Sequence, residues 1–195
     1  MNNKAIVKPP NRCWNVDNPL YISYHDEEWG VPVHDDQKLF EFLVLDAFQA
    51  GLSWWLILEK REAFREAFDG FNPAKVAKYT AKDVERLMEA PRMVKNRAKI
   101  TATITNAQQL LTVQKEFGSF NVFIWQFVNG KTIQNAFTDL SQMPAQTEQS
   151  QAMSRELKKR GFKFVGPTIC YAFMQAAGLV NDHLTDCFRY AQLQP

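Results

Sequence analysis

Apolar residues recur at helical spacing along most of the chain, and capping residues bound the segments that contain them. Asp35 or Asp36 can cap a first helix that runs to about Gln49. Ser53 can cap a second helix, which Gly70 follows as a stop signal. The apolar stripes of these two helices consist of Leu39, Phe42, Leu43 and Ala50, and of Trp54, Ile57, Leu58, Phe64 and Phe68.

Helix signals continue through the middle of the chain. Asn72-Pro73 has the form of an N-cap followed by the first residue of a short third helix. Thr80 with Asp83 resembles a capping box that opens a fourth helix, which Pro91 ends. The pattern then predicts a long helix that begins near residue 96 and ends at Gly118.

The remaining segments also favour helices. Residues 119–129 predict a short aromatic helix, residues 138–150 a polar loop, and residues 150–160 and 167–177 two further helices. We find no pair of alternating strands and no internal repeat. The sequence therefore predicts an all-α fold, in which short loops imply that neighbouring helices pack antiparallel.

Composition narrows the class of protein. The chain has 195 residues, of which 46% are hydrophobic and 23% charged, so it can form a real core and is not disordered as a whole. We expect one domain over residues 11–190, with a flexible lead at 1–10 and a tail at 191–195. No signal peptide and no apolar run of about 20 residues is visible, which predicts a cytoplasmic protein without a membrane span.

One carboxylate falls in an apolar position. Asp46 lies within the stripe of the first helix, and a buried carboxylate without a partner is costly. Either it has a function, or it is a helix-end residue that bonds a backbone N–H group or a basic side chain. A tight turn at Gly51 follows the helix and places Asp46 near a corner, with Trp54 one turn away.

Metal-ligand residues stand near both ends of the chain. His183 and Cys187 are four residues apart, so they face one side of a helical turn, and Cys13 and His25 lie near the N-terminus. Two Cys and two His suit a closed tetrahedral zinc site. Eleven residues separate Cys13 from His25, which is not a zinc-finger spacing, so satisfied core histidines and buried thiols are the alternative. We expect Cys170 to be core packing.

Basic residues form two clusters on a chain whose net charge is only +2. The first stands at the start of the long helix, where cations oppose the helix dipole and a bound anion would relieve them. Each cluster alone fits a solvated surface, whereas both together indicate a polyanion bound on one face. The clusters are Arg92, Lys95, Arg97 and Lys99, and Arg155, Lys158, Lys159, Arg160 and Lys163.

Five aromatic residues flank His25 and the Gly51 turn, in segments rich in turns and charge. Aromatic sets usually belong to a core, but these faces could also form a stacking pocket for a flat, electron-poor ring. They are Trp14, Tyr21, Tyr24, Trp29 and Trp54.

Several sequence runs together resemble the DNA-3-methyladenine glycosylase I family of helix-hairpin-helix glycosylases, over nearly the whole chain. The runs are Pro19-Leu-Tyr-Ile-Ser-Tyr-His-Asp-Glu-Glu-Trp-Gly-Val-Pro32, Gln49-Ala-Gly-Leu-Ser-Trp54, Arg97-Ala-Lys-Ile100 with Asn106-Ala107, Lys158-Lys-Arg-Gly-Phe-Lys-Phe-Val-Gly166 and Asn181-Asp-His183. The resemblance implies an enzyme that excises 3-methyladenine from alkylated double-stranded DNA in base-excision repair.

The resemblance also implies roles for particular residues. It implies one structural zinc ion per chain, which would join the two chain ends, held by Cys13, His25, His183 and Cys187. It places a helix-hairpin-helix element at about residues 87–107 with its hairpin at 91–96. It implies a base pocket of Tyr24, Asp46 and Trp54, the catalytic set, with Trp14, Tyr21 and Trp29. The expected DNA contacts are Gly51, Leu52, Arg92, Lys95, Arg97, Lys159 and Lys163.

The chain departs from the family at one position, because the family usually has Glu where this sequence has Asp46. A carboxylate withdrawn by one methylene raises the alternative of a lesion-binding protein without turnover. A third interpretation is a zinc-stapled helical interaction module. We find no lysine in the Gly51 corner placed as a Schiff-base nucleophile, which predicts a monofunctional glycosylase. We expect a monomer with no protein partner.

Overall fold

A computed structural model describes residues 11–15 and 17–195, so the lead predicted at residues 1–10 lies outside the described residues. The described part is helical, with one short pair of strands, which confirms the helical class. Within it, no helix combines the length and the apolar character needed to cross a membrane.

The elements follow one another in this order. The α-helices are α1 Pro19–Ser23, α2 Asp36–Gln49, α3 Trp54–Ala67, α4 Pro73–Val76, α5 Ala81–Glu89, α6 Arg97–Phe117, α7 Phe120–Trp125, α8 Glu148–Lys159, α9 Pro167–Ala176 and α10 Phe188–Gln192. The strands are β1 Ile133–Gln134 and β2 Val180–Asn181. A π-helical turn covers Tyr24–Glu28, and short 3-10 turns cover Asp69–Phe71, Gln126–Val128 and Leu140–Gln142.

The predicted caps begin the helices as expected. The side chains of Asp35, Ser53, Asn72 and Asn96 each accept a hydrogen bond from a backbone N–H in the first turn of the helix that follows. Thr80 N donates to Asp83 Oδ2 at 2.8 Å, as a capping box requires. The helix boundaries of the central chain are therefore local properties of the sequence.

The core forms around α2. Every residue from 39 to 48 is buried, because α2 packs against α3, α6, α7 and α9. A helix that is buried on all sides needs apolar residues around its whole circumference, beyond a single stripe. Ala50, which the sequence placed in the stripe, follows the helix as its C-cap and is half-buried.

Some elements are absent from the sequence prediction. β1 and β2 form a parallel pair, with Ile133 opposite Val180, although we found no strands in the sequence. Two-residue strands are too short for an alternating pattern, so only the packing of distant segments produces them. The α1 helix, the π-helical turn and α10 were also missed, and α10 spans the domain boundary predicted at residue 190.

The end of α9 packs closely against the chain that follows the π-helical turn. Gly178 has φ +71°, and a Cβ atom there would lie 2.3 Å from the backbone carbon of Val31. Gly30 N donates to Gln175 O at 3.0 Å, and Val33 N donates to Ala177 O at 3.0 Å. Glycine at 178 thus permits the contact that brings the two chain regions of the functional site together.

Candidate functional site

The π-helical turn Tyr24–Glu28 carries two buried side chains, Tyr24 and His25, at neighbouring positions. Glu28 is the last residue of this turn, and Arg61 of α3 donates two hydrogen bonds of 2.7 Å to its carboxylate. Arg61 also donates to Glu41 of α2 at 2.7 Å. Burial alone would raise the pKa of Glu28, but the hydrogen bonds and charge of Arg61 lower it to about 2. The turn is therefore fixed to α2 and α3 by an ion-pair network.

Tyr24 contributes to a cavity of about 260 Å³. The rings of Tyr24 and Trp54 are 5.2 Å apart, and those of Trp14 and Trp29 are 4.8 Å apart. Pockets for drug-sized ligands usually measure about 300–1,000 Å³, so this cavity suits a smaller ligand, such as one planar ring system. Its lining residues are Trp14, Tyr21, Tyr24, Trp29, Gln49, Trp54, Met143, Ala172 and Gln175.

All five aromatic residues predicted for a pocket line this cavity. The predicted set did not include Gln49, Met143, Ala172 and Gln175, which also line it. Met143 comes from the polar loop and Ala172 and Gln175 from α9, far from the aromatic residues along the chain. Nothing in the local sequence indicates that these segments meet, so only the tertiary packing identifies them.

Asp46 lies in the last turn of α2, close enough to Tyr24 for its charge to act on that residue, and is not among the residues that line the cavity. Its side chain is buried, and neither Asp46 Oδ2 nor Trp54 Nε1 has a hydrogen-bond partner among the described residues. Burial raises the pKa of Asp46 well above its usual value. Burial also raises the pKa of Tyr24, and the nearby charge of Asp46 adds to that shift. The helix-end alternative, in which Asp46 bonds a backbone group or a cation, leaves this orphaned oxygen unexplained.

The corner after α2 is open to solvent. Gly51 has φ +78° and is exposed, and a Cβ atom there would meet nothing within 4 Å. Leu52 beside it is half-buried. The left-handed backbone explains why glycine ends α2 here.

A buried lysine supports the corner from below. Lys99 is only 6% exposed, and its ammonium donates to Phe48 O and Ala50 O at 2.7 Å each. The sequence did not indicate this lysine at the corner, and the prediction that no lysine there is placed as a Schiff-base nucleophile stays a prediction. The nitrogen is held by the C-terminal carbonyls of α2, because a cation is favourable at that end of a helix. Because Lys99 is buried, it does not belong to the exposed basic cluster that the sequence suggested.

The other basic residues differ in their pairing. Arg92 and Lys95 are exposed in the turn between α5 and α6 and form no ion pair with a described carboxylate. Arg97 forms two hydrogen bonds of 2.6 and 2.7 Å with Glu85 across the same turn. Lys159 and Lys163 of the second cluster are exposed, whereas Arg160 is paired with Glu116 and Glu156.

The four residues from the two chain ends converge. Cys13, His25, His183 and Cys187 are all buried, and their ligand atoms lie within 4.8 Å of one another. Cys13 Sγ and Cys187 Sγ lie 3.4 and 3.5 Å from His183 Nδ1, and Cys187 Sγ lies 3.6 Å from His25 Nε2. A tetrahedral zinc site has sulfur–nitrogen edges of about 3.5 Å, so these residues could hold a metal ion.

The outer nitrogens of both imidazoles are also bonded. His25 Nδ1 lies 2.7 Å from Asp26 Oδ1, and His183 Nε2 donates to Trp29 O at 2.9 Å. These partners leave His25 Nε2 and His183 Nδ1 facing the sulfurs, which is the arrangement that metal-binding histidines need. The pKa of Cys187 is strongly lowered, because Cys13 and the two imidazoles bond to its sulfur.

A family model and two curated relatives match this chain over most of its length. The family model described as methyladenine glycosylase matches residues 14–190. A DNA-3-methyladenine glycosylase of Haemophilus influenzae is 51% identical over 90% of this chain and 96% of its own length. DNA-3-methyladenine glycosylase 1 of Escherichia coli is 50% identical over 94% of this chain and 99% of its own length.

Solved structures of similar sequence also have the same fold as this chain. A crystal structure of 3-methyladenine DNA glycosylase I is 49% identical, with a TM-score of 0.89 over 91% of this chain and 98% of that chain. The 3-methyladenine DNA glycosylase I of Staphylococcus aureus, solved to explain 3-methyladenine recognition, is 41% identical. Its TM-score is 0.89 over 93% of this chain and 97% of that chain.

Proposed function

This chain belongs to the methyladenine glycosylase family, and from that membership we propose that it is a DNA-3-methyladenine glycosylase of base-excision repair. It hydrolyses the N-glycosidic bond that joins 3-methyladenine to alkylated DNA. The observation that carries the proposal is the small cavity walled by Tyr24 and Trp54, together with the buried carboxylate of Asp46 near Tyr24, whose Oδ2 has no described partner. Electron-rich ring faces and a carboxylate both favour a flat cation over a neutral base.

The chemistry asks little of the protein beyond recognition. N-methylation gives the base a positive charge in DNA, so the base is already a good leaving group. The nucleotide must leave the duplex to reach the cavity, and a water then attacks the oxocarbenium-like sugar. We infer that the rings of Trp14, Tyr24 and Trp54 select the cation by stacking, and that the carboxylate of Asp46 opposes its charge.

Asp46 acts at longer range than the family's usual Glu. Its carboxylate is withdrawn by one methylene, about 1.5 Å. The absence of Asp46 from the residues that line the cavity agrees with this shortening. A charge acts through low-dielectric surroundings without direct contact, so Asp46 can still stabilise a cationic base.

We infer that α5, the turn at residues 90–96 and α6 form the helix-hairpin-helix element that holds the DNA backbone. Arg92 has φ +63°, which shapes the turn, and Lys60 Nζ donates to Arg92 O at 2.9 Å. Arg92 and Lys95 remain available for phosphate, whereas Arg97 must first leave Glu85. Gly51 and Leu52 at the open corner enter the duplex as the base leaves the stack.

We also infer a structural zinc at Cys13, His25, His183 and Cys187. Two thiolates and two imidazoles with bonded outer nitrogens fit zinc, and four protein ligands leave no open position for catalysis. Zinc would supply folding energy and join the two ends of the chain.

The base-release reaction tests the function directly. Purified protein incubated with methylated duplex DNA should release free 3-methyladenine, identified by chromatography and mass. Borohydride should trap no enzyme–DNA adduct, because the Lys99 amine is buried and bonded to two carbonyls. Salt-sensitive binding without base release would favour the lesion-binding alternative, and a trapped adduct would contradict the monofunctional assignment.

Asp46→Asn separates the roles of this carboxylate. Excision should fall about tenfold or more, because a group that stabilises the developing charges is lost. The melting temperature at neutral pH should stay the same or rise. The pKa of Asp46 is raised in the fold, so its ionised form opposes folding at higher pH, and Asn does not.

The pH dependence provides the check on that variant. In the wild type, kcat/KM should rise with pH through the raised pKa of Asp46 and then level, because the ionised form is active. Asp46→Asn should lack this limb of the profile. A strong loss of stability with an unchanged pH profile would make Asp46 a structural residue.

Metal analysis tests the zinc site. The purified protein should contain about one zinc per chain, and Cys187→Ser should lower both zinc content and melting temperature, because a ligand is lost. Cys170→Ser is the matched control, since Cys170 is equally buried but bonds Val165 O outside the cluster. Equal zinc content in the two variants would argue against the assigned ligands.

Two lysines near opposite ends of α6 test which end of the helix contacts DNA. Lys95→Ala should weaken duplex binding and reduce the slope of log affinity against log salt by about 1, because one phosphate contact is lost. Lys115→Ala is the control, since Lys115 is exposed near the far end of α6, about 27 Å from its start. The assigned face is wrong if the two variants bind DNA alike.

A further inference from the structure

Gln175 of α9 lines the cavity, and a buried carboxylate fixes its side-chain amide. Gln175 Nε2 donates to Asp182 Oδ2 at 2.8 Å, and Asp182 is only 1% exposed. Two more donors converge on the same carboxylate: Tyr171 OH bonds Oδ2 at 2.6 Å and Asn135 Nδ2 bonds Oδ1 at 2.6 Å. Asp182 is therefore held from three sides and cannot turn away from Gln175.

This contact decides which end of the amide is available. A carboxylate oxygen only accepts hydrogen bonds here, so the amide nitrogen of Gln175 must face Asp182 and the oxygen must point elsewhere. Among the described residues nothing donates to Gln175 Oε1, and this oxygen is not among the buried unpartnered atoms. Gln175 Oε1 is therefore a solvent-accessible acceptor without a described partner, on a side chain that lines the cavity.

The backbone of Gln175 is also fixed. Gln175 O accepts from Gly30 N at 3.0 Å, which ties the end of α9 to the chain that follows Trp29. An oriented acceptor on a rigid element is what a recognition group needs, because little ordering is left for binding.

We propose that Gln175 is a specificity-determining residue, whose amide oxygen accepts a hydrogen bond from the exocyclic amino group of the extruded base. The proposal rests on the function proposed above. Adenine carries an amino donor at carbon 6, whereas guanine carries a carbonyl oxygen there. An oriented oxygen in the cavity attracts the first group and opposes the second. Gln175 thereby selects adenine among N3-methylated purines. The aromatic rings and Asp46 select methylated bases over unmethylated ones, because methylation makes the base a cation.

A second amide, Gln49, also lines the cavity but is less firmly held. Gln49 Nε2 donates to Leu52 O at the longer distance of 3.2 Å, and Leu52 belongs to the open corner that we assign to the duplex. The amide of Gln49 is thus bonded to the corner, whereas that of Gln175 is bonded to a buried carboxylate. Gln175 is the better candidate for reading the base.

A binding cycle tests the hydrogen bond itself. Tryptophan fluorescence measures the affinities of the wild type and of Gln175→Met for two free bases. The bases are 3-methyladenine and 3-methylpurine, which lacks the amino group. Methionine keeps the length of the side chain and removes the acceptor. For each protein we take the ratio of its affinity for 3-methyladenine to its affinity for 3-methylpurine. We expect this ratio to be about fivefold or more higher in the wild type than in Gln175→Met.

DNA provides the functional readout. On DNA methylated by dimethyl sulfate, Gln175→Met should lower the ratio of released 3-methyladenine to released 3-methylguanine by about tenfold. Gln126→Met, an exposed position outside the cavity lining, should match the wild type in both assays. Gln49→Met should change the base preference less than Gln175→Met.

The outcomes separate this proposal from the one on which it rests. If the wild type releases 3-methyladenine and Gln175→Met keeps the wild-type preference for the amino group, Gln175 is not the reader. A larger shift in preference for Gln49→Met would assign the role to Gln49. A wild type that binds methylated DNA and releases no base would overturn the proposed function, and the free-base cycle would still measure the contact made by Gln175.

Discussion

The architecture depends on one constraint: the residues that gather the two chain ends are chain neighbours of residues that shape the cavity. His25 follows Tyr24 on the π-helical turn, and both are buried. Cys13 precedes Trp14 of the cavity wall, and His183 follows Asp182, which orients Gln175. Whatever holds the Cys/His cluster together therefore also sets the spacing of the cavity walls. A displacement of a cluster residue would therefore displace the neighbouring cavity residue, because one peptide bond joins the two.

The electrostatics of the site follow from burial. Asp46 lies in the last turn of a helix surrounded by core, with no described cation bonded to its carboxylate. The ammonium of Lys99 is bonded to the carbonyls of residues 48 and 50. Burial raises the pKa of Asp46, so we propose that a cationic ligand stabilises its ionised form, and the aromatic faces of the cavity favour the same sign of ligand. Charge and stacking act together on a cationic base.

The scaffold separates rigid parts from exposed ones. Arg61 fixes the π-helical turn to α2 and α3, and Gly178 lets α9 approach the chain behind that turn. Gly51 of the corner and Arg92 and Lys95 of the turn at residues 90–96 are exposed, and Lys99 in the first turn of α6 links the two regions from within because it bonds the end of α2. The surfaces proposed to meet DNA are therefore supported by the same core that forms the cavity.

Sequence alone determined the helices of the central chain and where they begin, because caps such as Ser53 and Asn96 act on the backbone within three residues, but it missed α1, the π-helical turn and α10. It also named the four Cys and His residues that the structure brings together, with buried thiols and core histidines as the alternative, and the five aromatic residues that line the cavity. Only the tertiary structure placed Gln175 in the cavity, Lys99 beneath the corner and Arg97 against Glu85. Those roles arise when segments far apart along the chain pack together, and no local pattern of hydrophobic and polar residues records which segments will meet.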